Sequence, residues 1–204
     1  MTAQRLPDAI APDSAAASLP EGFARQALTL ATRGLDLAEV GQRPIDMCQA
    51  LAQVARSLKV LGAFGTAETY LAQALRWAAM LPGIDARVDL MCELAEVSCA
   101  AADAEQAAGE DDRRAGRIAR ERARDQAFQA AALAGQTADA QWEVKVLLRI
   151  SDVLDRCGDH EDAATLQNRA ISLMGLDVSR VAEELPHEAA LELPAMAPGS
   201  TLLM

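Results

Sequence analysis

The sequence predicts an all-α fold built from antiparallel helical hairpins. Two stretches, Leu51 to Leu75 and Leu147 to Ile171, each carry two apolar patterns at helical spacing with a glycine at the turn between them. When the stretches are superimposed, Gly62 falls on Gly158. Composition agrees with this, because 51% of the residues are apolar but only 3% are aromatic. Small and aliphatic side chains therefore have to fill the core, which suits closely packed helices.

The N-terminal part is predicted to be a flexible arm followed by one long helix. Residues 1–20 contain three prolines and isolated small residues that bury little apolar area. A helix is predicted over residues 21–40, and its apolar arc is unusually wide. Such a helix should contact more than one neighbour. It is either sandwiched in the stack or part of a dimer contact.

Glycine and proline positions predict the next three helices. Gly41 should end the first helix, and Pro44 suits the first turn of a helix over residues 44–62. A second helix over 66–80 should end before the Leu-Pro-Gly run that starts at Leu81, since proline cannot continue a helix. A third helix is predicted over 85–104.

The C-terminal half is predicted to contain an enlarged acidic loop, three more helices and a tail. The loop covers residues 105–112, and the helices cover 113–135, 138–157 and 160–174, with Asp159 as the N-cap of the last one. Residues 175–204 form an acidic, proline-containing tail that should be mostly disordered, with at most a short helix near 177–185. The tail either stays disordered or occupies the chain's own basic groove.

The recurring hairpin resembles the tetratricopeptide repeat, which combines large apolar and small residues at fixed positions. The matching positions are Leu51, Val54, Ala55, Leu58, Ala67, Leu71 and Ala74 in one hairpin and Leu147, Ile150, Ser151, Leu154, Ala163 and Ala170 in the other. This resemblance implies a short right-handed TPR-like α-solenoid of three hairpins over residues 21–174. Gln167 departs from the pattern, and the middle hairpin loses register after its first helix. An unrelated all-helical bundle is the alternative.

Four basic residues are the first candidate binding site. In the repeat family the first helix of each hairpin lines a concave groove, which would place Arg56, Lys59, Lys145 and Arg149 on the inner surface. The family's carboxylate-clamping members use basic and amide side chains in a comparable arrangement. Here the middle hairpin offers Asp89, Glu93 and Glu96 instead of amides. The plainer interpretation is a solvated helix face with local salt bridges.

A stripe of four arginines is the second candidate. Arg113, Arg117, Arg120 and Arg124 lie on one face of the helix predicted over 113–135. Four guanidinium groups in a row could bind phosphates or an acidic partner. The alternative is a solvated face against which the preceding acidic loop folds.

Several function classes are disfavoured. A net charge of −11 argues against binding nucleic acid or an anionic membrane surface. No apolar run is long enough to span a bilayer, and no secretion signal is evident, so we expect a cytoplasmic protein. The chain has two histidines and four cysteines without CxxC spacing, which predicts no catalytic set, no metal site and no cofactor.

These observations predict a non-enzymatic protein–protein interaction module, a scaffold or adaptor. Its partner would be a peptide or protein segment bound in the concave helical groove, and the basic candidates favour an acidic one. The alternative is a structural all-α bundle that self-associates through the helix at 21–40, giving a homodimer.

Overall fold

The computed structural model describes residues 19–108 and 113–175. Within these ranges the chain forms seven helices and no strand: α1 (Leu19–Gly41), α2 (Pro44–Val60), α3 (Phe64–Ala78), α4 (Asp85–Ala108), α5 (Arg113–Ala134), α6 (Ala140–Cys157) and α7 (His160–Leu173). The all-α prediction is confirmed. Most of the N-terminal arm, the second half of the acidic loop and nearly all of the tail, including the short helix near 177–185, lie outside the described residues.

The helix boundaries follow the predicted ones with a few differences. α1 begins at Leu19 and takes Pro20 into its first turn, where a proline removes no helical hydrogen bond. α4 continues to Ala108 instead of ending near residue 104, so the first half of the predicted loop is helical. This extension, Glu105-Gln106-Ala107-Ala108, consists of good helix formers.

The hairpin turns depend on left-handed backbone conformations at a few residues. Gly62 and Gly158, the two glycines of the sequence repeat, have φ values of 75° and 92°. Only glycine adopts this region without steric cost. α1 ends at Gly41, as predicted; Gly41 itself is helical, and Gln42 after it takes a positive φ of 48°. The N–H of Gln42 donates to the carbonyl oxygen of Ala38 at 2.8 Å and closes the helix.

Each helix packs against the next one in the chain, and α4 also packs against α6. Two apolar clusters result, one shared by α1 to α4 and the other by α4 to α7. Alanines form much of the contact surface, and the large fully buried side chains are Leu71, Leu147, Ile150 and Leu154. Trp77 and Trp142 are partly buried and pack against the two clusters. α4 belongs to both clusters and is the central helix.

The four cysteines are free thiols, and two of them meet across the α4–α6 contact. Cys48, Cys92 and Cys99 are buried, whereas Cys157 is partly exposed. The Cys157 thiol donates to Cys99 Sγ at 4.0 Å. This contact lowers the pKa of Cys99 and raises the pKa of Cys157. The thiols thus serve mainly as small apolar packing groups.

α1 is the least enclosed of the described helices. It packs closely only against α2, through Ala24, Ala31 and Ala38, with Leu35 partly buried against the same cluster. Other large side chains of its apolar arc, Phe23 and Leu30 among them, are exposed. α1 is therefore not sandwiched between two described helices, and the other interpretation of its wide apolar arc, a dimer contact, stays open.

None of the described helices combines the length and the apolarity needed to cross a membrane.

Replacing Leu154 by Ala should cost about 3 kcal/mol of unfolding free energy, because its side chain is fully buried and would leave a cavity. Its counterpart in the first hairpin, Leu58, is only partly buried. Leu58→Ala should therefore cost less, about 1 to 2 kcal/mol. Urea unfolding followed by circular dichroism measures both. Equal losses for the two variants would contradict the packing described above.

Candidate functional site

One face of the molecule carries alternating cations and carboxylates from three helices. Arg56 and Lys59 lie one turn apart on α2, Glu93 and Glu96 lie one turn apart on α4, and Arg149 comes from α6. A spacing of three residues brings side chains to the same side of a helix. The three helices therefore join into one polar surface, which we call the ion-pair face.

Glu93 is the more deeply buried carboxylate of the ion-pair face, with a relative exposure of 9%. The Nε–H of Arg56 donates to both carboxylate oxygens at 3.1 Å, and its Nη2 lies 2.5 Å from Oε1. A buried carboxylate destabilises a fold unless it is paired and hydrogen-bonded. Arg56 therefore has a structural role that ties α2 to α4.

Glu96 receives two cations from opposite sides. Lys59 Nζ donates to Oε2 at 2.8 Å, and Arg149 Nε donates to Oε1. Burial opposes ionisation, but the hydrogen bonds from Arg149 and Lys59 prevail and hold the pKa of Glu96 below its usual value. Glu96 therefore stays ionised and links α2, α4 and α6 through one side chain.

The four predicted groove residues thus differ in their environment. Arg56, Lys59 and Arg149 lie on one face as expected, but each has an intramolecular carboxylate partner. Lys145 is exposed on α6, and it forms no ion pair within the described parts of the chain. A role as a clamp for an acidic peptide stays a prediction. It would require the ligand carboxylate to displace Glu93 or Glu96.

An open groove adjoins the ion-pair face at Arg56 and Glu93. It lies among α1, α2 and α4 and has a volume of about 790 Å³. One wall is apolar and comes from α1, mainly Gly34 and Leu37; the opposite wall comes from α4 and includes Asp89. We call this the α1–α2–α4 groove. The sequence did not indicate it, because nothing in the spacing of α1 shows which side of α2 it packs against.

The groove is acidic despite the basic residues nearby. Its lining includes the carboxylates of Asp46, Asp89 and Glu93 but only one cation, Arg56, which is already paired with Glu93. Asp46 is 3.4 Å from Arg43. Burial raises the pKa of Asp89, although Arg149 partly offsets the effect. A cation entering the groove would be attracted to Asp89.

The predicted arginine stripe ties α5 to its neighbours. Arg120 donates to Gln106 on α4, and Arg124 lies 3.3 Å from Asp159 and 3.4 Å from Asp162 on α7. Arg117 is exposed, and the side chain of Arg113 lies outside the described residues. Binding of phosphates or an acidic partner by this stripe stays a prediction.

Asp159 occupies the N-cap position of α7, as predicted, but its side chain makes no capping hydrogen bond. Its carboxylate faces Arg124 instead. The side-chain cap is at the start of α6, where Asp139 Oδ1 accepts a hydrogen bond from the N–H of Trp142 at 3.0 Å. Nearby, His160 Nδ1 lies 2.6 Å from Asp155 Oδ1, and both residues are exposed.

Within residues 19–108 and 113–175, no three His, Cys, Asp or Glu side chains are arranged as a metal site.

The described geometry defines an all-α protein with an ion-paired face and an adjoining open groove. No protein-family model matches the chain, and no curated protein matches it. Among solved structures, BtubC (BKLC) from P. vanneervenii aligns over 94% of this chain and 99% of its own, with 14% sequence identity and a TM-score of 0.33. A likeness of this size carries no argument about the fold or the function.

Glu96→Gln should make the stability of the protein less dependent on pH. The folded-state pKa of Glu96 lies below 4.5, so its ion pairs stabilise the fold above that pH and are lost as the pH falls through the folded-state pKa. At pH 7 the free energy of unfolding of the variant should be about 1 to 2 kcal/mol lower than that of the wild type. This difference should shrink as the pH falls well below 4.5.

Urea titrations at several pH values test this expectation. Glu121→Gln is a matched control, because Glu121 is exposed on α5 and is not part of the ion-pair face. A destabilisation by Glu96→Gln that persists unchanged at pH 3 would show that the charge of Glu96 is not what matters.

Proposed function

We propose that this protein is a non-enzymatic interaction module, a scaffold or adaptor, that binds a segment of a partner protein in the α1–α2–α4 groove. The observation that carries the proposal is the groove itself. It is open and has a volume of about 790 Å³. Its apolar wall from α1 lies opposite a wall from α4 that carries carboxylates. Such a surface suits a segment with one apolar and one polar side.

The proposed architecture is a short right-handed TPR-like stack of three hairpins, α2–α3, α4–α5 and α6–α7. Its support is the recurrence of the glycine turn at Gly62 and Gly158 and the packing of α4 against α6, the first helices of successive hairpins. In proteins of this kind the first helices line the inner surface, where ligands bind. The ion-pair face, built from α2, α4 and α6, would be that inner surface.

The charge of the groove favours a particular class of segment. Leu37 and its neighbours on α1 offer contacts to apolar side chains, and Asp89 offers a partner for a lysine or arginine. An acidic segment would instead meet the three carboxylates of the lining. We therefore propose an amphipathic helical segment with basic residues on its polar side, rather than the acidic peptide expected from the sequence.

A pair of matched peptides tests the proposal. Two fluorescent amphipathic helices with the same apolar face, one with lysines and one with glutamates on the polar face, are titrated with the intact chain. The lysine peptide should bind more tightly, and added salt should weaken this binding because the charges are near the surface. A preference for the glutamate peptide that disappears in Lys145→Ala/Arg149→Ala would support the carboxylate clamp instead.

Asp89→Lys should weaken binding of the lysine peptide about 3- to 10-fold, since one attraction is replaced by a repulsion. Asp125→Lys makes the same change in net charge on the exposed side of α5, away from the groove, and is the matched control. Fluorescence anisotropy measures both. If the two variants bind equally well, the groove is not the binding site.

Self-association through α1 is the second candidate function. It is favoured by the exposure of Phe23, Leu30 and Leu37, three large apolar side chains on one helix.

A further inference from the structure

The exposed face of α1 carries an apolar stripe with a regular alternation of size. Phe23, Leu30 and Leu37 recur every seven residues and have relative exposures of 67%, 66% and 75%. The residue four positions after each of these is small: Ala27, Gly34 and Gly41. At the helical period all six lie on one side of α1, next to the alanines that contact α2. We call these six residues the α1 stripe.

Gly34 has no explanation within its own chain. Glycine in the middle of a helix is destabilising relative to alanine. Where such a glycine is needed for close packing, an added Cβ would meet a neighbour. At Gly34 a Cβ would meet no atom within 4 Å. The space above Gly34 is therefore open, and a second molecule could approach the helix closely there.

The α1 stripe is complementary to itself when two copies run antiparallel. With a two-fold axis between Leu30 and Gly34, Leu30 of each copy lies opposite Gly34 of the other, Leu37 opposite Ala27, and Phe23 opposite Gly41. Every layer then pairs a large side chain with a small one. A parallel pair would place large against large and small against small in alternate layers, which straight helices cannot pack without voids or clashes.

We propose that the chain forms a homodimer in which the α1 stripes of two copies pack antiparallel about this two-fold axis. α1 has 23 residues and is about 34 Å long, so the contact extends over many turns. A stable interface needs more than about 1,000 Å² in total. Six large apolar side chains, three from each copy and each about two-thirds exposed or more, form its centre.

Charge does not hold this dimer together. Arg33 borders the α1 stripe near the axis, so the two copies of Arg33 come near each other. Added salt screens that repulsion. The dimer should therefore be unchanged or tighter at high salt, whereas binding of a basic peptide in the α1–α2–α4 groove should weaken. The inference deepens the second candidate function, self-association through α1, and does not depend on the binding of a segment in the groove.

Sedimentation equilibrium of the intact chain, over a range of protein concentrations and at two salt concentrations, tests the dimer. The wild type should dimerise. Gly34→Leu should raise the dissociation constant at least tenfold, since the new side chain occupies the space taken by Leu30 of the second copy. The helix content should not fall, because leucine is the better helix former and its Cβ meets nothing in its own chain.

Two further variants make the test specific. Gly22→Leu is the matched control, because Gly22 lies on the same helix with an equally open Cβ position but outside the α1 stripe. It should leave the dissociation constant unchanged. The double variant Leu30→Ala/Gly34→Leu exchanges the large and small positions. The leucine introduced at position 34 of each copy then meets the alanine introduced at position 30 of the other, and dimerisation should return towards the wild-type level.

Three results would overturn the proposal: a wild type that stays monomeric at about 100 µM, a Gly34→Leu variant that dimerises as well as the Gly22→Leu control, or a double variant that fails to recover. None of these depends on peptide binding, which is measured on dilute chain with a labelled peptide. Failure of the dimer and failure of the groove can thus be distinguished.

Discussion

The central constraint in this fold is that α4 carries two carboxylates into a half-buried face. Carboxylates placed there without cations would destabilise the fold, since burial of an unpaired charge is strongly unfavourable. α2 and α6 supply them, from Arg56 and Lys59 on one side and Arg149 on the other. The same helix belongs to both apolar clusters. The apolar contacts of α4 hold the helices together without fixing their alignment. The ion pairs of α4 fix the positions of α2 and α6 relative to each other.

The order of the helices and the approximate position of their ends could be predicted from the sequence, because the signals are local. Glycines that need a positive φ and prolines that fit a first turn mark helix ends regardless of tertiary structure, as at Gly62 and Pro44. Details of side-chain pairing depend on tertiary contacts. Asp159 is the N-cap residue of α7, but its carboxylate faces Arg124 from α5 and makes no capping hydrogen bond. No spacing within α7 contains that information.

The candidate site could be predicted only in part, for the same reason. The sequence placed Arg56, Lys59 and Arg149 on a common face, since that follows from helical period and hairpin order. It did not indicate their carboxylate partners, although Glu93 and Glu96 were noted as departures from the repeat family's amide positions. Pairing across helices depends on how far one helix is shifted along another. The α1–α2–α4 groove was missed because α1 lies outside the repeated hairpins.

α1 connects the two proposed interactions. Gly34 and Leu37 line the groove and also belong to the α1 stripe. A second copy on the stripe would cover part of the wall that a bound segment needs, so the two binding events compete for one surface. Thermodynamic linkage then makes the effect reciprocal. If dimerisation lowers the affinity of the groove for a segment by some factor, a bound segment lowers the affinity of the two copies for each other by the same factor. α1 is well suited to this, because Phe23, Leu30 and Leu37 are exposed and stay available to either partner.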